Sequence, residues 1–188
     1  QGSQSGTLTC KEEDLAQTRG HLRLSKDRPG HFVFDSGQYH FMNAYECDWL
    51  WAMDLGNDSL NKTEGLLDQI VSHKFNTVIM NVYAHDCNWT PQGREEYTYT
   101  PPALYVWEGS NENPDHSKMN LDFFHHFDKV MNLLLEKNLM VHLFFKVYNK
   151  MVNYPERFSI EDDLYFRYIT ARYQSYNNIV WDFSKEAK

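Results

Sequence analysis

Long apolar runs are missing from this sequence. None reaches the roughly 20 residues that a membrane-spanning helix needs, and no signal-type stretch opens the chain. The first residue is not Met, so we expect the sequence to begin after processing or truncation. Glycine and proline are scarce, at 9 and 6 of 188 residues, which excludes collagen-like and low-complexity chains. Positive charge is in the minority: 18 Lys and Arg against 26 Asp and Glu give a formal net charge of −8. That balance disfavours a basic face for nucleic acid or an anionic membrane, and neither is expected as a partner. Cysteine is limited to Cys10, Cys47 and Cys87, too few for a disulfide framework and without zinc-type spacing. No two-histidine metalloprotease motif, phosphate-cradling glycine loop or nucleophile elbow occurs. His125 and His126 are adjacent, and a helix points neighbours about 100° apart, which denies them an ordinary paired metal site. No metal and no cofactor are expected.

Aromatic residues are abundant at 15%, with 5 Trp, 12 Tyr and 12 Phe, and a hydrophobic fraction of 41% is enough to pack a core. The length suits one domain or a piece of a larger one. Residues 1–19 are polar and read as a flexible lead-in. Two alternating runs, His21 to Leu24 and His31 to Phe34, are separated by a turn around Asp27 to Gly30, which is a hairpin pattern. A second turn leads into Tyr39 to Ala44.

The period then changes to strands alternating with helices. Asn61 to Lys74 reads as a helix with Leu66, Leu67, Ile70 and Val71 on one face, Asn61 as its cap and Glu64 as the capping-box partner. Asn120 to Asn138 carries a stripe of Phe123, Phe124, Phe127, Val130, Met131 and Leu134, and Asn138 stands where a left-handed cap would end it. Ser159 with Asp162 opens a third helix that runs to about Tyr176. Strands begin near residues 40, 77, 140 and 178, and an aromatic insertion lengthens the loop over 86–118. Such alternation means parallel pairing with right-handed crossovers. Two architectures accept it: an open doubly wound sheet, or part of a (β/α)₈ barrel.

In both, the active face lies at the carboxyl ends of the strands. Those ends collect Tyr45, Glu46, Asp48 and Trp49; Tyr83, His85 and Asp86; Lys146, Tyr148, Asn149 and Lys150; and Asp182, Lys185 and Glu186. The insertion adds Trp89, Tyr97, Tyr99, Tyr105 and Trp107. Carboxylates among flat apolar rings suit a sugar, since acids handle the glycosidic oxygen and rings stack on the pyranose face. Each feature also has a plainer reading: Glu186 as a solvated carboxylate, Glu46 and Asp48 as caps, and the insertion as a self-packed loop cluster.

The segment Tyr165 to Glu186 resembles the helix 3 to strand 4 passage of apiosidase-like glycoside hydrolases, (β/α)₈ barrels related to the clan A glycosidases. Phe41 to Trp49 is similar to their first strand, with Glu46 at the acidic position and Trp49 at the tryptophan. The start of strand 2 at Phe75 to Val78 and Asp128 in helix 2 also match, and the likeness spans about 20–188. The resemblance implies an α/β chain forming the first half of a (β/α)₈ TIM barrel: four parallel strands and three helices, preceded by a short β-hairpin. It implies Glu186 as general acid/base, with a second carboxylate near the end of a seventh strand, beyond this chain. Glu46, Trp49, Tyr83, His85, Tyr148 and Lys185 are then expected to line a sugar subsite in a secreted or periplasmic protein. Where such barrels usually carry Asn before the acid/base, this sequence has Lys185, and a neighbouring ammonium tends to hold a carboxylate ionised. A half-barrel leaves its inner face and two edges open, so a complementary half or self-association is expected. Cys47 and Cys87 follow neighbouring strands, which makes a bridge between them conceivable. The rival readings are a non-catalytic carbohydrate-binding barrel and an open doubly wound domain whose strand order reverses.

Overall fold

Residues 5–7, 9, 19–87 and 101–187 are described by the structure, a computed structural model. The chain forms two compact units, 1–41 and 42–188. In the first, β1 (Leu22–Leu24), β2 (Phe32–Phe34) and β3 (Tyr39–His40) make an antiparallel sheet in chain order. The expected hairpin thus has a third strand. Gly30 and Gly37 adopt φ of 84° and 85° at the turns, a region where a Cβ would be strained. The run Tyr39 to Ala44 is consequently split: Tyr39–His40 belongs to this sheet, and the barrel-type strand begins only at Ala44.

The second unit runs β4 (Ala44–Glu46), α1 (Asn61–Ser72), β5 (Thr77–Asn81), β6 (Trp107–Gly109), β7 (Pro114–Met119), α2 (Leu121–Glu136), β8 (Met140–Val147), α3 (Ile160–Tyr173) and β9 (Ile179–Lys185). A parallel sheet has the order β4-β5-β8-β9. Chain order without reversal is the arrangement of the first half of a (β/α)₈ barrel, and it excludes the doubly wound alternative. β4 is much shorter than the Phe41 to Trp49 stretch, because a one-turn 3₁₀ segment, Leu50–Ala52, follows it almost at once.

The helices form where apolar spacing and caps agree. Asn120 caps α2 by accepting from the backbone of Asp122 (3.0 Å) and Phe123 (3.3 Å), and Asn138, at φ 62°, follows its last turn. Ser159 caps α3 through the Asp162 N–H at 3.1 Å. The capping box expected at Asn61 and Glu64 does not form. Leu60 occupies the cap position, and the buried Asp54 accepts from both the N–H and the hydroxyl of Thr63, each at 2.8 Å. A carboxylate seven residues upstream of the helix outcompetes the local side chain because it reaches two first-turn donors at once.

The register assigns the two faces of the sheet. Val78 lies beside Val141 and Met80 beside Leu143, and all four are buried with the apolar stripes of the helices. On the opposite face Glu46, Ile79, His142 and Val180 form one row, and Asn81, Phe144 and Asp182 the next. This second face is the one a closed barrel encloses. Within the insertion, β6 and β7 pair antiparallel. Tyr105 and Trp107 are buried in the core beside Tyr165, not presented to solvent. Trp89, Tyr97 and Tyr99 lie outside the described residues.

Candidate functional site

The carboxyl ends of the four parallel strands carry a chain of alternating charges. Glu46 ends β4, and its carboxylate pairs with the ammonium of Lys185, the last residue of β9. The same ammonium lies 3.6 Å from Asp48 Oδ1. Asp48 is held from two further elements, by the Asn81 side-chain amide at the end of β5 at 2.8 Å and by Lys150 Nζ in the loop after β8 at 3.0 Å. Lys150 also stands over the Trp49 ring at 5.1 Å, and Trp49 donates its indole N–H to the Ala84 carbonyl at 3.1 Å. The Lys150 carbonyl accepts from the backbone of His85 and Asp86, at 3.1 and 3.0 Å, which ties the loops after β5 and β8 together.

Sequence reasoning named Glu46, Trp49 and Lys185, and the structure joins all three. Asp48 and Lys150 were only two among many strand-end residues. They are the connectors, each with a side chain about nine-tenths buried. No spacing rule singles them out; the available signal was a charged side chain directly after a strand that must be covered by its neighbours. Burial lowers the pKa of Lys185, and the adjacent Glu186 carboxylate opposes that effect.

The remaining candidates are placed differently. Tyr83 is fully buried: its ring stacks on Trp51 at 5.1 Å and meets Tyr105 and Phe123 edge-on, which leaves no face for a sugar. Its hydroxyl lies 3.1 Å from His85 Nδ1, and His85 Nε2 is 3.8 Å from Glu112 at the tip of the β6–β7 hairpin. Tyr148 is exposed, with the Arg157 guanidinium 5.2 Å above its ring. Lys146 turns away from the rim into a buried pair with Asp162 at the start of α3. Asp182 faces His142 at 3.0 Å in the middle of the sheet. Cys47 and Cys87 are not joined in a disulfide; burial, helped by Asp48, pushes the Cys47 thiol up to about 11. Among the described residues, no three His, Cys, Asp or Glu side chains converge as metal ligands.

Glu186 directly follows β9. It is exposed and adopts φ 59°, a left-handed conformation that costs a glutamate and turns it out of the strand's alternation. An exposed carboxylate directly after Lys185 is chemically able to exchange a proton with a bound oxygen. The family model for the Apiosidase-like catalytic domain matches residues 31–187. The chain belongs to this family. Solved structures similar to this Apiosidase-like chain include a candidate glycoside hydrolase from Bacteroides vulgatus ATCC 8482 (20% identity, TM-score 0.68), which covers 90% of this chain and 32% of that one. Another, described as a glycoside hydrolase, has 15% identity and TM-score 0.60, covering 91% and 35%. A hyperthermophilic endocellulase from the archaeon Pyrococcus horikoshii has 18% identity and TM-score 0.52, covering 90% and 44%. At these identities the likeness shows the fold. The Apiosidase-like chain spans about a third of the length of the first two structures. Among curated proteins none matches it.

Proposed function

We propose that this glycoside hydrolase-like chain supplies the acid/base half of a two-carboxylate site that cleaves glycosidic bonds in an oligosaccharide or polysaccharide. The observation that carries the reading is the position of Glu186 at the end of the fourth parallel strand, one residue from the Lys185–Glu46–Asp48 cluster. In the first step Glu186 gives its proton to the leaving oxygen while a second carboxylate displaces it at the anomeric carbon; in the next, water attacks that carbon, Glu186 takes the water's proton, and the second carboxylate is released. That second carboxylate comes from a barrel strand not among these four. Glu46, Trp49, His85 and Tyr148 are the sugar-facing groups, and carbohydrate is the partner. We take residues 20–188 as the working span, a small antiparallel sheet followed by the barrel half, 1–19 as a lead-in, and the protein as exported, secreted or periplasmic, where polysaccharide is met.

In the complete protein, Glu186→Gln is expected to lower hydrolysis of substrates with poor leaving groups by about 10²-fold or more, with folding and sugar affinity retained. Unchanged hydrolysis would remove Glu186 from the chemistry. Lys185 at the usual Asn position favours a second reading, a barrel that binds sugar without cleaving it. In that case sugar affinity is measurable, hydrolysis is absent in the parent protein, and Glu186→Gln changes neither.

A further inference from the structure

Lys185 and Glu186 are neighbours in sequence, and an ammonium ion-paired to an acid/base carboxylate would keep it from carrying a proton. The structure gives the ammonium carboxylate contacts elsewhere, while the Glu186 charge still acts on it. Lys185 reaches across the rim to Glu46, and Asp48 lies 3.6 Å away on the same side. Asp48 is anchored from independent elements, by Asn81 on β5 and by Lys150 in the loop after β8, so it is a fixed anion. Lys150 is itself pinned over Trp49. Glu186, by contrast, is exposed and leaves the strand in a left-handed turn.

We propose that Glu46 and Asp48 are positioning residues that hold the Lys185 ammonium across the barrel rim, so that the adjacent Glu186 is left free to exchange a proton with a glycosidic oxygen. The inference rests on Glu186 as acid/base, and it identifies how a lysine is accommodated beside it. Among the described residues, the charged groups set around Lys185 are Glu46 at the end of β4, Asp48 after it, Lys150 after β8 and Glu186 beside it; His85 after β5 is turned to Tyr83 and Glu112. The clamp brings two carboxylates to the Lys185 ammonium, and it decides which carboxylate the ammonium contacts.

The test is a double-mutant cycle read on Lys185, with the titration of its ε-methylene followed by NMR in the intact chain. With the clamp present, Glu186→Gln is expected to move the Lys185 midpoint only slightly. In Glu46→Gln/Asp48→Asn the ammonium is released toward Glu186, and the effect of Glu186→Gln roughly doubles or more. Glu46→Gln alone, at an exposed side chain, provides the same comparison if the double variant fails to fold. An effect of Glu186→Gln that is equal or smaller without the clamp overturns the proposal. The readout needs no turnover, so it stands apart from the hydrolysis test of Glu186.

Discussion

Arg172 on α3 grips Asp128 on α2 through two parallel hydrogen bonds, Nε to Oδ1 at 2.8 Å and Nη2 to Oδ2 at 2.6 Å, and the Tyr173 hydroxyl adds a third at 2.8 Å. Asp128 was one of the residues carrying the family likeness, yet it lies on the helix layer and not at the strand ends. Its work is to fix the two helices against each other. Asp128→Ala removes the acceptor from three donors and is expected to destabilise the fold by about 2 kcal/mol, measured by urea unfolding. An unchanged midpoint would show the clamp to be dispensable.

Lys146 and Asp162 form a buried pair, with the ammonium 5.2 Å from the Tyr154 ring centre and 5.3 Å from that of Phe166. Asp162 also accepts the Phe158 N–H at 3.0 Å. Lys146→Met leaves a carboxylate buried without its cation, and a loss of about 3 kcal/mol is expected. Adding Asp162→Asn should recover part of it. A Lys146→Met protein as stable as the parent would contradict this account.

His126 is buried on α2 and donates Nε2–H to the Trp51 carbonyl at 2.7 Å. Burial lowers its pKa, outweighing the help the carbonyl gives the charged form. The unfolded chain, with histidine at its ordinary value near 6.5, therefore binds the proton first as pH falls. Stability should be flat above that value and decline below it, with a slope of up to one proton. His40, whose pKa burial also lowers, contributes in the same direction. His126→Gln keeps a donor without the titration, and denaturation at a series of pH values should show a shallower decline.

β9 is an edge strand with Trp181 and Phe183 at 36% and 77% exposure, and both rings stack on Phe145. An exposed aromatic edge strand invites pairing with another chain or another segment. Phe183→Lys is expected to shift sedimentation toward monomer at high protein concentration while changing stability by less than about 1 kcal/mol. Monomeric parent protein at all concentrations would leave this edge without a partner in solution.

The period of the apolar residues was enough to locate the helices and the last three of the four parallel strands, because burying a stripe or a β-branched run is a local demand that the chain must meet wherever it folds; the first strand was misplaced, since Tyr39–His40 joins another sheet. Ser159 and Asn138 were legible for the same reason, each acting on backbone one to three residues away. Asn61 was not the cap, since Asp54 approaches from outside the helix, and nothing in the local pattern reveals a donor's distant competitor. Tertiary structure also decided that Tyr83, Tyr105 and Trp107 pack inward and that Lys146 leaves the rim. An aromatic or a long cation near a strand end satisfies either role, and only the space around it selects one. The pairing of Lys185 with Glu46 joins the two outer strands of the β4-β5-β8-β9 order, and the anchoring of Asp48 by Asn81 and Lys150 draws on the two between, so the path of the whole sheet brings these carboxyl ends together. Residues far apart in sequence then share one electrostatic environment, which no single segment encodes.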